Sequence, residues 1–194
     1  LRGKTILITG PTSGIGRESA RVLAHRGATI VGLARSLERT TAVLDGLDGR
    51  HVAICCDLAE PASVERAAEE AASHGPFDSL LCNAAVLASR RTLVHGHELQ
   101  FLTNHVGHFI LVSRLLERLR EDGRVVIVSS GAHKMAPDVG IQFEDLTFAH
   151  GYKTLTAYGH SKLANLLFAK ALATRFEGTG RTCNALHPGE IGTN

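Results

Sequence analysis

Residues 5–16 read Thr-Ile-Leu-Ile-Thr-Gly-Pro-Thr-Ser-Gly-Ile-Gly. The first five form an apolar run of strand type, and a helical pattern begins near Ile15. Three glycines between them permit a sharp turn and a close approach of the backbone to a ligand. A helix that starts after such a turn presents free N–H groups and a positive dipole end, which favour pyrophosphate. The spacing Gly-x3-Gly-x-Gly departs from the commonest fingerprint but keeps its physical parts. It predicts a dinucleotide-binding unit with these contacts: Gly10, Thr12, Ser13, Gly14, Ile15 and Gly16.

The same alternation of strand and helix continues along the chain. Strand candidates are residues 5–9, 29–33, 51–55, 79–82, 124–129 and 182–186, and helical periodicity covers 15–26, 37–45, 61–74, 97–120 and 155–177. Because the strands are mostly continuous apolar runs, helices should cover both faces of the sheet. We predict an α/β fold with a Rossmann-type doubly wound parallel sheet in three α/β/α layers, forming a single domain over 1–194. Residues 136–151 are interpreted as an irregular insertion beside the site.

Bulk composition narrows the class of protein. The 194 residues are 44% hydrophobic, with 21 basic and 19 acidic side chains and a net charge of +2, so there is no basic tail to suggest a nucleic-acid partner. No apolar stretch approaches the roughly 18–20 residues of a spanning helix. The chain lacks CxxC spacing, and its cysteines lie in apolar runs that favour buried, reduced thiols: Cys55, Cys56, Cys82 and Cys183. We expect a cytoplasmic protein without a membrane segment in this chain; an anchor outside it would also fit.

The ends of the second to fourth strands predict the rest of the cofactor site. Arg35 lies 19 positions after Gly16, where NAD-binding folds place an acid for the ribose hydroxyls, and an arginine there favours a 2′-phosphate. NADP(H) is therefore favoured, with NAD(H) as the alternative. Arg39 is a candidate helper, unless both arginines are merely solvated. Asp57, followed by Leu58, either accepts a hydrogen bond from the adenine or caps the next loop. The small side chains of Asn83-Ala84-Ala85 suit a backbone that passes beside the cofactor.

A tyrosine and a lysine at helical spacing predict the reacting centre. Tyr158 and Lys162 lie four positions apart near the start of a predicted helix, so both project from one face. A neighbouring ammonium stabilises a phenolate and lowers the tyrosine pKa toward neutrality, so Tyr158 is the candidate acid/base. Lys162 would also be placed to bind the nicotinamide ribose, so the pair also belongs to the predicted cofactor site. Ser130, preferred over Ser129, closes a strand at the carboxyl edge of the sheet and would orient the substrate oxygen. Asn104 is either a satisfied polar group on its helix or the holder of a water that relays protons from Lys162.

Two further patterns concern the histidines and the end of the chain. His105 and His108 are three residues apart, but no additional ligand spacing supports a metal site, so no metal is predicted. Pro188-Gly189 follows the sixth strand as a turn at the carboxyl edge, where the backbone could contact the nicotinamide carboxamide.

Taken together, these motifs resemble those of the short-chain dehydrogenase/reductase family over nearly the whole chain. The resemblance implies a catalytic tetrad of Asn104, Ser130, Tyr158 and Lys162, in which the lysine lowers the tyrosine pKa and the asparagine holds a relay water. It also implies that Ile191 and Thr193 help to hold the nicotinamide. The Asn-His-x-Gly-His-Phe motif at 104–109 and the Tyr-x2-Ser-Lys-Leu-Ala-Asn motif at 158–165 look like the retinol dehydrogenase and protochlorophyllide reductase branch. That branch implies a lipophilic alcohol or carbonyl substrate.

The chain departs from the family in two places. Val86 occupies a position that is usually glycine, which affects the local loop shape. The family also continues beyond the Pro-Gly turn with a substrate lid, a further helix and a seventh strand, which we expect this chain to lack. Family members commonly form dimers or tetramers, so a homodimer or homotetramer is expected.

Two other functions fit parts of the pattern. A non-catalytic dinucleotide-binding or scaffold protein could keep the glycine turn, although the complete Ser-Tyr-Lys set favours an enzyme. A sugar epimerase-type relative would reuse the Tyr-Lys pair with NAD, but such relatives usually have an acid after the second strand, and Arg35 counts against this reading.

Overall fold

The computed structural model describes residues 1–189, built on a parallel sheet and a short hairpin. The strands are β1 (Thr5–Thr9), β2 (Thr29–Ala34), β3 (Val52–Cys55), β4 (Phe77–Cys82), β5 (Leu93–Val94), β6 (His97–Glu98), β7 (Leu119–Val128) and β8 (Thr182–Leu186). Six of them form one sheet in the order β3-β2-β1-β4-β7-β8, with parallel neighbours throughout. The strand order reverses between β1 and β4, which is where open α/β sheets bind ligands. The predicted doubly wound parallel fold is confirmed.

Helices cover both faces of this sheet. They are α1 (Gly14–His25), α2 (Leu37–Asp45), α3 (Pro61–Ala72), α4 (Leu99–Phe101), α5 (Gly107–Leu115) and α6 (Thr154–Arg175). One core cluster joins Ile8 and Ile30 to α1 and α2. The other joins Leu7 and Val31 to α3, α5 and α6 on the opposite face. Alternate residues of the buried strands thus point into two separate cores, which explains why their sequences are apolar throughout.

The predicted helix 97–120 is wrong at both ends. His97–Glu98 forms β6, which pairs with β5 across a two-residue turn in which His95 and Gly96 both have positive φ, 51° and 77°. Two positive φ values are what a tight type I′ hairpin turn requires, and this turn competes successfully with helix formation. At the other end, Leu119 is extended and pairs with Phe77, so β7 begins five residues earlier than expected.

Inside this region the helix also changes its winding. Residues Leu102–Val106 form a π-helical turn between α4 and α5, and the Gly107 N–H donates to the Leu102 carbonyl. Single π turns occur frequently at functional sites, because they displace one residue from the α-helical ladder. Hydrophobic periodicity cannot reveal such a turn, since it changes the register by only one residue.

The amino edge of the sheet is held by a buried carboxylate. Asp78 at the start of β4 accepts from the Lys4 ammonium at 2.8 Å and from the Thr5 backbone N–H at 2.8 Å, and it pairs with Arg120 at 3.3 Å. Its side chain is 11% exposed. These contacts keep the pKa of Asp78 below its ordinary value, in spite of partial burial that acts in the opposite direction. Asp78 therefore ties the first residues of β1 to β4 and β7.

Two smaller expectations have mixed outcomes. The four cysteines are free thiols, but only Cys56, Cys82 and Cys183 are buried. Cys55 is exposed because it ends an edge strand with its side chain toward solvent, so the prediction of burial is wrong there. The insertion at 136–151 is irregular as expected, with one short 3₁₀ turn at Phe143–Asp145.

Within residues 1–189, no helix is long and apolar enough to cross a membrane.

Candidate active site

The glycine turn after β1 lies at the carboxyl edge of the sheet, beside the reversal of strand order. Gly10 and Gly14 adopt positive φ values of 69° and 49°. A Cβ on Gly16 would lie 2.0 Å from the Gly10 carbonyl oxygen, so only glycine allows α1 to start against the turn. The sequence therefore needs glycine at these positions to bring the helix N-terminus to the sheet edge.

This turn fits the pyrophosphate of a dinucleotide. Ser13 is the N-cap of α1, but its side chain makes no capping hydrogen bond, and the first turn of α1 holds no acidic residue. Ser13 and Gly14 are exposed, while Thr12 and Ile15 are half-buried. Free backbone N–H groups and a positive dipole end are thus directed outward without an internal carboxylate to neutralise them.

Arg35 and Arg39 are the two arginines for which we predict a role at a ribose phosphate. Arg35 follows β2 and Arg39 lies in the first turn of α2, and both side chains are exposed. Among the described residues, neither side chain takes part in an ion pair. Their guanidinium groups are thus not committed to an internal carboxylate.

Asp57 stabilises the loop after β3 through two hydrogen bonds. Its Oδ1 accepts from the Ala59 N–H at 2.9 Å, and its own N–H donates to Ser63 Oγ at 3.1 Å. Leu58 is 6% exposed, and its carbonyl would lie 2.4 Å from a Cβ on Gly107. Asp57 therefore caps the loop that follows β3, which is one of the two roles predicted for it. The Leu58 side chain packs in the core.

The Asn83 side chain supports the glycine turn. Its Nδ2 donates to the carbonyls of Thr9 and Gly10, at 3.0 and 3.4 Å. The backbone N–H groups of Asn83 and Ala84 both donate to Thr9 Oγ1 at 3.0 Å. These bonds fix the end of β4 to the end of β1, with Ala84 half-buried and Ala85 exposed at the edge.

The two serines that end β7 have different environments. Ser129 is buried, and its hydroxyl donates to the Lys162 carbonyl at 2.8 Å. Ser130 is half-buried and caps the 3₁₀ turn Gly131–Met135 by accepting from the Ala132 N–H at 3.2 Å. Its hydroxyl acts to lower the pKa of Tyr158. Of the two, Ser130 is the one that shares a site with Tyr158.

Tyr158 and Lys162 meet on one face of α6, as their spacing predicts. The Lys162 ammonium lies 5.4 Å from the centre of the Tyr158 ring and donates to the Val128 carbonyl at 3.0 Å. Burial lowers the pKa of Lys162 to about 8. Burial also raises the pKa of Tyr158, against the smaller opposing effect of the Ser130 hydroxyl. Lys162 does not lower the pKa of Tyr158 in this structure, contrary to expectation, because its ammonium lies over the ring and not at the hydroxyl.

Asn104 lies in the π turn and is fully buried. Its Oδ1 accepts from the Val86 N–H at 2.7 Å, while its Nδ2 donates to the Val86 carbonyl at 3.0 Å and to Ser161 Oγ at 3.0 Å. The alternative of a satisfied polar group thus describes this side chain, whose oxygen and nitrogen both have protein partners, and the role in holding a relay water stays a prediction. The same bonds explain how Val86 is accommodated, since both of its backbone groups are held without a positive φ.

Four residues without an assigned role complete this arrangement. Thr9 joins β1 to β4, and His108 joins Thr9 to the Asn104 carbonyl. Ser161 Oγ donates to the Tyr158 carbonyl at 2.7 Å. A Cβ on Gly159 would lie 2.4 Å from the Ala132 carbonyl, so this glycine lets the Ser130 turn approach α6. Periodicity gives no signal for any of them, because each also makes a contact with a residue that is distant in sequence, such as that of His108 with Thr9 or of Ser161 with Asn104.

The turn after β8 is only partly described. Pro188 is half-buried and Gly189 has a φ of 90° at the carboxyl edge of β8. Ile191 and Thr193 lie outside the described residues. In the described part, no cluster of three metal-ligating side chains occurs, and His105 and His108 hydrogen bond to Asn165 and Thr9 instead.

Comparison with known proteins identifies relatives of this chain. Residues 4–143 match the family model described as short chain dehydrogenase. Mouse retinol dehydrogenase 14 is 38% identical over 100% of this chain and 63% of its own length. Mouse retinol dehydrogenase 12 is 40% identical over 97% of this chain and 62% of its own length. The chain thus spans less than two thirds of the length of these curated relatives.

A solved structure supports the same assignment. The crystal structure of a short chain dehydrogenase from Burkholderia cenocepacia J2315 in complex with NADP superposes with a TM-score of 0.82. It is 28% identical, and the match covers 100% of this chain and 77% of that one.

Proposed function

This chain belongs to the short-chain dehydrogenase family, and we propose that it transfers a hydride between NADP(H) and the carbonyl or alcohol carbon of a lipophilic substrate. The observation that carries this proposal is the convergence of Ser130, Tyr158 and Lys162 at the carboxyl edge of the sheet. The Lys162 ammonium lies 5.4 Å from the Tyr158 ring centre, and the turn that Ser130 caps packs against α6 beside Tyr158, where a Cβ on Gly159 would lie 2.4 Å from the Ala132 carbonyl. A half-buried phenol beside a hydroxyl donor suits proton exchange with a substrate oxygen.

Each side chain has a separate task in this proposal. When bound, the nicotinamide supplies or accepts the hydride. Ser130 Oγ orients the substrate oxygen, and Tyr158 Oη gives it a proton during reduction or takes one during oxidation. Burial raises the pKa of Tyr158, so the phenol carries its proton at neutral pH, which is the form that gives a proton to a carbonyl oxygen. Lys162 donates to the Val128 carbonyl and so is fixed over the tyrosine ring.

The cofactor site is proposed from the first half of the sheet. The glycine turn and the N-terminus of α1 would take the pyrophosphate, and Arg35 would take a 2′-phosphate. Arg35 is exposed and outside the ion pairs of the described residues, so its charge is available to a ligand. The Burkholderia relative is in complex with NADP, which supports a nicotinamide dinucleotide as the cofactor.

A lipophilic substrate is supported by exposed apolar side chains near the site. Met135, Val139 and Phe143 are 51%, 76% and 77% exposed and follow Ser130 along the chain, while Leu155 lies just before Tyr158 and is 52% exposed. Exposed apolar side chains concentrated in one segment commonly mark a binding surface. The retinol dehydrogenases among the relatives agree with this substrate class.

Three broader properties stay predictions. A homodimer or homotetramer would use exposed apolar residues of the two long helical segments, such as Phe109 and Leu167. A single domain and a cytoplasmic location likewise stay predictions.

The test compares the protein with a Tyr158→Phe variant. NADPH should raise the melting temperature of both proteins, and more than NADH does. Reduction of a panel of lipophilic aldehydes and ketones should be abolished in Tyr158→Phe and kept in Tyr152→Phe, which changes the chain's other tyrosine. NADPH binding without turnover of any substrate by the wild type would favour the non-catalytic dinucleotide-binding protein. No shift with either dinucleotide would refute the cofactor site.

A further inference from the structure

His108 is a buried, titratable side chain at the centre of the site that the proposed reaction does not use. It lies on α5, one helical turn after Asn104, and is 1% exposed. Its Nε2 is 2.8 Å from Thr9 Oγ1, and its Nδ1 is 2.9 Å from the Asn104 carbonyl oxygen. One imidazole thus joins the end of β1, where the glycine turn begins, to the π turn.

The groups around His108 allow only one tautomer of its imidazole ring. Thr9 Oγ1 accepts from the N–H groups of Asn83 and Ala84, both at 3.0 Å, so its own hydrogen is left for His108 Nε2. The Asn104 carbonyl can only accept, so His108 Nδ1 must carry the ring hydrogen. Burial lowers the pKa of His108 to about 4, and the nearby charges of Lys162 and His105 act in the same direction. A neutral ring with hydrogen on Nδ1 satisfies all of these contacts.

The two hydrogen-bond partners of His108, Thr9 and Asn104, each connect to a different part of the site, the glycine turn and the segment that carries Tyr158. On the Thr9 side, Asn83 Nδ2 donates to the Thr9 and Gly10 carbonyls within the glycine turn. On the Asn104 side, the amide donates to Ser161 Oγ, which donates to the Tyr158 carbonyl at 2.7 Å. A continuous hydrogen-bonded path therefore runs from the dinucleotide turn to the helix that carries Tyr158 and Lys162.

We propose that His108 is a positioning residue that, as the neutral Nδ1–H tautomer, holds the glycine turn and the Asn104–Tyr158 segment in register for hydride transfer. This inference rests on the proposed function. Its two bonds have separate consequences: the bond to Thr9 stabilises the turn that binds the dinucleotide, and the bond to Asn104 fixes the segment that places Tyr158. Loss of the bond to Thr9 should therefore weaken NADPH binding more than it lowers kcat, and loss of the bond to Asn104 should lower kcat more than it weakens NADPH binding.

Two amide variants separate the two bonds. In His108→Gln, the longer side chain brings an amide oxygen to the position of Nε2 and keeps the bond with Thr9 alone. In His108→Asn, the amide nitrogen takes the position of Nδ1 and keeps the bond with Asn104 alone. Each lost hydrogen bond is worth about tenfold in a rate or binding constant. We expect His108→Gln to lower kcat about tenfold with little change in NADPH affinity, and His108→Asn to weaken NADPH binding about tenfold with little change in kcat.

A purely structural role would give a different pattern. It would lower kcat and NADPH affinity together in both variants, in proportion to the loss of melting temperature, and that result would overturn the proposal. An independent measurement on the wild type is the imidazole ¹⁵N spectrum, in which His108 should show a protonated Nδ1 and an unprotonated Nε2 between pH 6 and 8. The opposite tautomer would also overturn it. Absence of NADPH binding by the wild type would instead refute the proposed function, whereas equal losses in variants of an active wild type refute the role of His108 alone.

Discussion

Asn104 and Val86 form a closed pair in which one side-chain amide satisfies both backbone groups of the other residue. The Val86 N–H donates to Asn104 Oδ1 at 2.7 Å, and Asn104 Nδ2 donates to the Val86 carbonyl at 3.0 Å. This pairing reproduces the geometry of two strand residues, although one partner lies in a π turn. It fixes the chain after β4 against the segment that leads to α5.

The Asn104→Ala variant should lose stability, because it leaves the partly buried backbone N–H and carbonyl of Val86 and the Ser161 hydroxyl without this partner. The cost should be about 2–3 kcal/mol in the free energy of unfolding, measured by urea denaturation. Asn184→Ala, which changes an exposed asparagine on β8, serves as the control and should cost less than about 0.5 kcal/mol. Equal stability of the two variants would contradict this assignment.

The Gly16→Ala variant should bind NADPH poorly. Its new Cβ would meet the Gly10 carbonyl at 2.0 Å, so the glycine turn or α1 must move. We expect a loss of NADPH affinity of about tenfold or more, measured by thermal-shift titration. The matched control is Gly46→Ala, where φ is −80° and the nearest atom to a new Cβ lies 3.5 Å away. Retention of NADPH affinity by Gly16→Ala would show that the turn is not the binding element.

The Gly159→Ala variant should affect catalysis more than cofactor binding. Its Cβ would collide with the Ala132 carbonyl at 2.4 Å and push the Ser130 turn away from Tyr158. We expect kcat to fall about tenfold or more while NADPH affinity stays near the wild-type value, because small displacements of reacting groups are costly. An unchanged kcat would mean that Ser130 and Tyr158 do not need this contact.

The Arg35→Ala variant should discriminate between the two dinucleotides. Removal of one guanidinium from a phosphate site should weaken NADPH binding by about tenfold and leave NADH affinity nearly unchanged. Arg66→Ala provides a control with an exposed arginine on α3. If Arg35→Ala weakened both dinucleotides equally, the arginine would not be reading the 2′-phosphate.

Stability should fall in acid as two buried histidines are forced to protonate. Burial lowers the pKa of His108 and of His160 to about 4, whereas an unfolded chain titrates near its ordinary value. Between about pH 6.5 and 4 the unfolded chain therefore binds more protons, and the free energy of unfolding decreases as pH falls, by up to about 3 kcal/mol for each histidine. Above pH 7 these two groups should have no such effect.

Denaturation at pH 4.5 and pH 7 measures this loss. His160→Gln keeps an acceptor for the Gln142 N–H, which now donates to His160 Nε2 at 3.0 Å, and should reduce the pH dependence. His150→Gln, at a histidine whose side chain is 97% exposed, should leave it unchanged. The same slope in both variants would exclude His160 as a source of the acid sensitivity.

The sheet and the glycine turn were predictable because they depend on local pattern. Continuous apolar strands and the Gly10–Gly16 stretch specify a parallel sheet and its first helix without reference to the rest of the molecule. The spacing of Tyr158 and Lys162 similarly placed both on one face of α6, and the structure brings Ser130 to them.

What escaped prediction depends on contacts between distant residues. The occupied side chain of Asn104 follows from Val86, which lies 18 positions away, and no property of either residue alone indicates the pair. The position of Lys162 over the Tyr158 ring depends on the carbonyl of Val128, so spacing alone suggested the wrong pKa shift for the phenol. The β5–β6 hairpin was missed because a His-Gly pair is a weaker turn signal than Asn-Gly.

The carboxylate of Asp78 has a practical consequence for altering this protein. Its bonds to Lys4, Thr5 and Arg120 lie at the amino edge of the sheet, whereas the glycine turn, Ser130 and Tyr158 gather at the carboxyl edge. The contacts of Asp78 and the residues of the proposed reaction therefore lie at opposite ends of the same strands. Substitutions around Asp78 offer a way to adjust how much warming the protein withstands while its turnover at ordinary temperature stays the same.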